Sequence, residues 1–97
     1  MKNSNNQSFL KAKKDYVLRK IADENILVPI GKGIANFSGV IYVNDSAAFL
    51  WKLLQSDTTI VKLEEALVAE YKISEKLAKE DVQKFIDILE QHNMLED

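Results

Sequence analysis

Few side chains of this chain could do chemistry unaided. His92 is its one histidine, and it falls near the end of the last apolar-periodic segment, where an imidazole ordinarily faces solvent or the negative end of a helix dipole. Glu64 and Glu65 are adjacent acids, as are Glu80 and Asp81. Neighbours on a helix point in different directions, so neither pair divides acid and base roles over one substrate. Gly31-Lys32-Gly33 has neither the full motif of a phosphate loop nor a helix expected directly behind it. No serine sits in a nucleophile elbow. Cysteine is absent, which removes thiolate metal sites, cysteine nucleophiles and any disulfide framework together. The expectation is a protein that is not an enzyme, with no catalytic residue, no metal site and no cofactor.

The chemistry that remains is recognition. Val40, Ile41, Tyr42 and Val43 are β-branched or aromatic and form a candidate strand. At a sheet edge, its unpaired N–H and C=O groups would be a template for a guest strand, and no charge or proline guards it. In the last helical segment, Leu77, Asp81, Lys84 and Ile88 recur at i, i+4, i+7 and i+11, beside a core stripe that includes Phe85. This second line is either the margin of the core or the wall of a groove beside the strand. As a wall it would offer apolar pockets and one charge of each sign.

The elements that must position these residues follow in order. Tyr16–Ala22 and Ile26–Ile30 read as strands around a turn at Asp23-Glu24-Asn25, with Pro29 at an edge or a strand end. Gly31-Lys32-Gly33 breaks the chain, Ile34–Phe37 can resume extended structure, and Ser38-Gly39 leads by a hairpin turn into Val40–Val43. Asn44 then caps a largely buried helix with Ala47, Leu50, Trp51 and Leu54 on one face. Thr59 caps a second helix to about Tyr71, with Ile60, Leu63, Leu67 and Tyr71 inward. Ser74 caps a third, with Ala78, Val82, Phe85 and Leu89 inward and Ile86 flanking. Asn93 suits the left-handed end of that helix, with Met94 and Leu95 folding back. Three strands followed by three helices predict an α+β domain with a winged helix-turn-helix-like arrangement, a three-stranded antiparallel sheet followed by three helices.

Composition limits the partners. Ninety-seven residues with 46% apolar content allow one domain with a real core. No run approaches the length of a membrane span and no secretory signal opens the chain, so a cytoplasmic protein without a membrane partner is expected. Residues 1–11 are expected as a disordered tail and 12–97 as the folded domain. Residues 1–20 carry a net charge of +5 and the remainder −7. That basic run is short and its only aromatics are Phe9 and Tyr16, so it reads as a solvated entry segment rather than a nucleic-acid arm. A winged-helix DNA-binding regulator is the alternative function. It would need the last helix to meet phosphate, yet that helix carries three lysines against five acids, and no arginine follows Arg19. No nucleic acid is therefore expected as a partner.

The residues also resemble a known family. Tyr16-Val-Leu-Arg, Ile21-Ala-Asp, Ile26-Leu-Val-Pro, Phe37-Ser-Gly, Val43-Asn44, Ala48-Phe-Leu-Trp51, Leu54, Asp57-Thr-Thr59, Leu67, Tyr71, Asp81-Val82, Phe85 and Met94-Leu95 are similar to the PqqD-like proteins. These are recognition elements for ribosomally made, post-translationally modified peptides. The resemblance spans about residues 12 to 96 and implies binding of a precursor's leader peptide, added as a strand on the third strand and lying against the third helix. By position it points to Val40, Ile41, Tyr42 and Val43 as the pairing edge, and to Leu77, Asp81, Lys84, Phe85 and Ile88 as the groove wall. It further implies a free-standing adaptor that presents the precursor to a modifying enzyme such as a radical SAM maturase. A homodimer through the same edge is left open. Asn93, where the family often has glycine, and the basic residues at 11–14 depart from the pattern.

Overall fold

A computed structural model describes residues 8–32, 34 and 39–96. Its fold is α+β. β1 (Tyr16–Ile21), β2 (Glu24–Pro29) and β3 (Ile41–Val43) form an antiparallel sheet in the order β1-β2-β3. α1 (Asp45–Leu53), α2 (Ile60–Tyr71) and α3 (Glu75–Gln91) follow. β2 is the central strand and β3 lies at an edge.

The strand register decides what each face carries. Leu18, Leu27 and Ile41 stand in one row across the sheet, and Arg19, Ile26 and Tyr42 in the next. Successive side chains point to opposite faces, so the first row meets the helices, where Leu27 is fully buried. The second row lies on the other face. The β1–β2 loop is Ala22–Asp23, because Ile21 pairs with Glu24. The turn therefore comes earlier than the expected Asp23-Glu24-Asn25. Ala22 takes φ +55°, a left-handed conformation that alanine does not advertise in a sequence. Pro29 is the last residue of β2, as expected of a residue that cannot donate to a ladder.

The helices begin where short polar side chains can cap them. Asn44, Thr59 and Ser74 each accept a hydrogen bond from a backbone N–H three residues on. Each satisfies one donor that the first turn would otherwise orphan. Leu50, Trp51 and Leu54 from the first helical segment meet Leu63 and Leu67 of α2 and Ala78, Val82, Phe85, Ile86 and Leu89 of α3 in one core. Ala48 is more buried than the expected Ala47, and Tyr71 is partly exposed. The C-terminal end of α3 closes as expected, with Asn93 at φ +56°. Met94 N–H donates to the Leu89 carbonyl at 2.8 Å and Asn93 N–H to that of Glu90 at 3.1 Å. That pairing is a Schellman motif, and it buries Met94 completely.

Four expectations meet a different local structure. Ile34 is helical rather than extended, and Lys32 is helical just behind Gly31; residues 35–38 and Gly33 lie outside the described residues. The described partner of β3 is β2, through Asn25, Ile26 and Leu27. Val40 precedes β3 rather than forming part of it. At the N-terminus, residues 1–7 lie outside the described residues, but Leu10 and Lys11, assigned to the tail, are tied to the body. Leu10 exchanges hydrogen bonds with Thr58 at 2.7 and 3.0 Å, and the Lys11 carbonyl accepts from Glu96 N–H at 2.7 Å. These partners are remote in sequence, and no local pattern announces them.

Candidate functional site

β3 is short because it delivers α1 directly. Asn44 Oδ1, one residue beyond the strand, accepts from Ala47 N–H at 2.9 Å and from Ser46 Oγ at 3.1 Å. Asn25 Nδ2 donates to Asp45 Oδ1 at 2.7 Å, and Asn25 is itself buried and lies opposite Val43 in the ladder. The corner between strand and helix is thereby pinned to the central strand.

This corner and α3 enclose a groove of about 230 Å³. Tyr42 and Val43 border it on the strand side. Asn44, Ser46, Ala47 and Leu50 come from the corner and α1, and Asp81, Lys84, Phe85 and Ile88 from α3. Leu50 and Phe85 are almost fully buried, so they present an apolar floor held by the core itself. Lys84 is exposed and Asp81 half-buried, which leaves the wall with one charge of each sign. Ile88, 36% exposed, extends the apolar surface toward solvent.

Of the nine residues named from sequence, Tyr42, Val43, Asp81, Lys84, Phe85 and Ile88 are brought together around this groove. Ile41 instead points to the core side, opposite Leu27. Val40 and Leu77 are exposed, at 45% and 43%, and do not line it. Phe85 belongs to the core and to the groove at once. The contribution of α1 went unnamed. Its signal was the strand that runs into a helix without a loop, which forces the first turn of that helix beside the edge.

Larger concavities exist, of about 280, 440 and 450 Å³; none is lined by β3, and the last lies against Leu18 and Lys20 of β1, the other edge strand. The distinguishing property of the β3–α3 groove is chemical rather than volumetric: a strand that, among the described residues, pairs on one side only, beside an apolar floor. Among the described residues, no three acidic or histidine side chains converge as a metal site, and no buried side-chain polar atom lacks a partner. No described helix is long and apolar enough to cross a membrane.

Comparison with known proteins adds the following. Residues 24–95 match the family described as Coenzyme PQQ synthesis protein D (PqqD). Among solved structures, TbiB1 in complex with the TbiA(beta) leader peptide superposes with a TM-score of 0.68 at 22% identity, covering 89% of this chain and 94% of that one. A lasso peptide synthetase B1 complexed with its leader peptide gives a TM-score of 0.68 at 16% identity, covering 91% and 98%. The PqqD truncation of Methylobacterium extorquens PqqCD, solved in solution as a functional and stand-alone recognition element, gives 0.73 at 16% identity, covering 96% and 94%. These likenesses are of fold. No curated protein matches the chain.

Proposed function

The chain belongs to the PqqD family, and from that membership and the β3–α3 groove we propose that it is an adaptor that binds the leader segment of a ribosomally made precursor peptide. The guest adds to the free edge of β3 as a further strand. Backbone hydrogen bonds supply affinity that is indifferent to sequence, and side chains that alternate along the guest supply specificity. Those turned toward the helices enter the pocket floored by Leu50 and Phe85. Those turned away lie beside Tyr42, which is 65% exposed.

The observation that carries this reading is the coincidence of an edge strand with an apolar groove on the same flank. It is supported by the leader-bound state of two structures of similar fold. One acid and one base on the wall suit a peptide of mixed composition better than a polyanion.

The groove residues hold and orient a peptide. The modification is supplied by a separate enzyme, and a radical SAM maturase is the class that the family's role in cofactor synthesis favours. Tethering raises the effective concentration of the core peptide at that enzyme, to the millimolar range for a short flexible connection. The test is a titration of a fluorescently labelled leader, taken from the precursor encoded beside the gene, against the protein. Saturable binding is expected for the leader and not for its scrambled sequence or for duplex DNA. Equal binding of the scrambled peptide, or tight and salt-steep binding of DNA, would overturn the assignment.

A further inference from the structure

An adaptor that tethers must touch two partners at once, and the second needs its own surface. The flank of α3 opposite the β3 groove carries a candidate. At 3.6 residues per turn, Glu75 and Lys79 fall on the side of the helix roughly opposite Lys84 and Ile88, with the buried stripe between them. There α2 and α3 leave a groove of about 440 Å³. Its α2 wall is Val61, Glu64, Glu65, Val68 and Ala69, spaced i, i+3, i+4, i+7 and i+8. That is a complete helical stripe, distinct from the inward stripe of Leu63 and Leu67.

The floor is apolar, and Val61 is 45% exposed on an otherwise well-capped helix. The rim is charged and one-sided. Glu64, Glu65 and Glu75 stand against Lys79 alone, and none of these four is held in an ion pair of the described chain. An apolar stripe bordered by carboxylates is complementary to a helix carrying apolar residues at i, i+3 and i+4 with lysine or arginine beside them.

Resting on the adaptor reading above, we propose that the α2–α3 groove receives a basic amphipathic helix of the modifying enzyme. Precursor and enzyme are then held on opposite flanks of α3 in one ternary complex. Because the two grooves share a rigid helix but no lining residue, occupancy of one does not block the other.

The test uses the whole ¹⁵N-labelled chain and two synthetic amphipathic helices, one of leucine and lysine and one with glutamate in place of lysine. The lysine peptide should shift amides in 61–69 and 75–79, leave 41–43 unmoved, and bind about tenfold more weakly to Glu64→Gln/Glu65→Gln/Glu75→Gln. The glutamate peptide should not bind. The purified maturation enzyme encoded beside the gene should lose affinity for the same variant while the leader does not. Shifts centred on β3, equal binding of both peptides, or an unchanged enzyme affinity in the variant would overturn the proposal. Failure of the leader to bind the wild-type chain would instead remove the adaptor reading and leave the peptide result standing.

Discussion

The two flanks of α3 are built on different principles. The β3 groove is nearly neutral, borders a strand that pairs on one side only among the described residues, and is floored by Leu50 and Phe85 from the core. The α2–α3 groove is acidic, borders no strand, and of its lining side chains Val68 alone packs against the core. A guest on the first flank would be held by main chain plus pockets, which tolerates many guest sequences. The partner proposed for the second would be held by charge and an apolar stripe, which selects for its composition. Salt should separate them: screening weakens the second flank strongly and the first slightly.

Substitutions sharpen this contrast. The largest effect is expected from Leu50→Ala, which removes side-chain volume shared by core and groove. Unfolding in urea should show a loss of about 2–5 kcal/mol, and leader binding should weaken with it. No substitution confined to the acidic flank should do either. Ile88→Lys separates binding from folding, because this side chain is already partly exposed. Leader affinity should fall roughly tenfold by calorimetry with the thermal midpoint nearly unchanged, as surface changes usually stay within about 0.5 kcal/mol.

A smaller effect concerns pH. The Tyr16 phenol is pushed above its ordinary value by burial and, secondarily, by the nearby Asp15 carboxylate. The neutral, protonated phenol is the form the fold favours. Its contribution to stability is complete below the unfolded-state value near 10 and is lost as pH rises through the elevated folded value. Urea midpoints should be level with respect to this group up to about pH 10 and fall above it, and Tyr16→Phe should reduce that fall. The smallest change is Ala22→Gly, which relieves a left-handed alanine in the β1–β2 turn. It should stabilise the fold by about 0.5–1 kcal/mol in the same assay and leave both grooves untouched.

What could be read in the sequence was what is local. The caps Asn44, Thr59 and Ser74 act through N–H groups three residues away, and the α3 stripe repeats within one helix, so both were visible. The Schellman end at Asn93 was visible for the same reason. The β1–β2 turn was misplaced because a left-handed alanine carries no signal. Leu10 and Lys11 were mistaken for tail because their partners are Thr58 and Glu96. The groove was half legible. Helical periodicity put Asp81, Lys84 and Ile88 on one line, and all three border the groove, but it could not show that Leu77 does not line it. Nor could it show that Asn44, Ser46, Ala47 and Leu50 close the other side, since that depends on where the strand–helix corner packs.

Strand addition is tested most directly by backbone amide hydrogen exchange of the labelled chain with and without the leader peptide. Outward-facing amides of Ile41–Val43 should gain protection on leader addition, with cross-strand contacts between guest and β3, while α2 exchanges as before. Binding that leaves β3 exchange unchanged, or protection confined to α2, would contradict a guest strand on this edge.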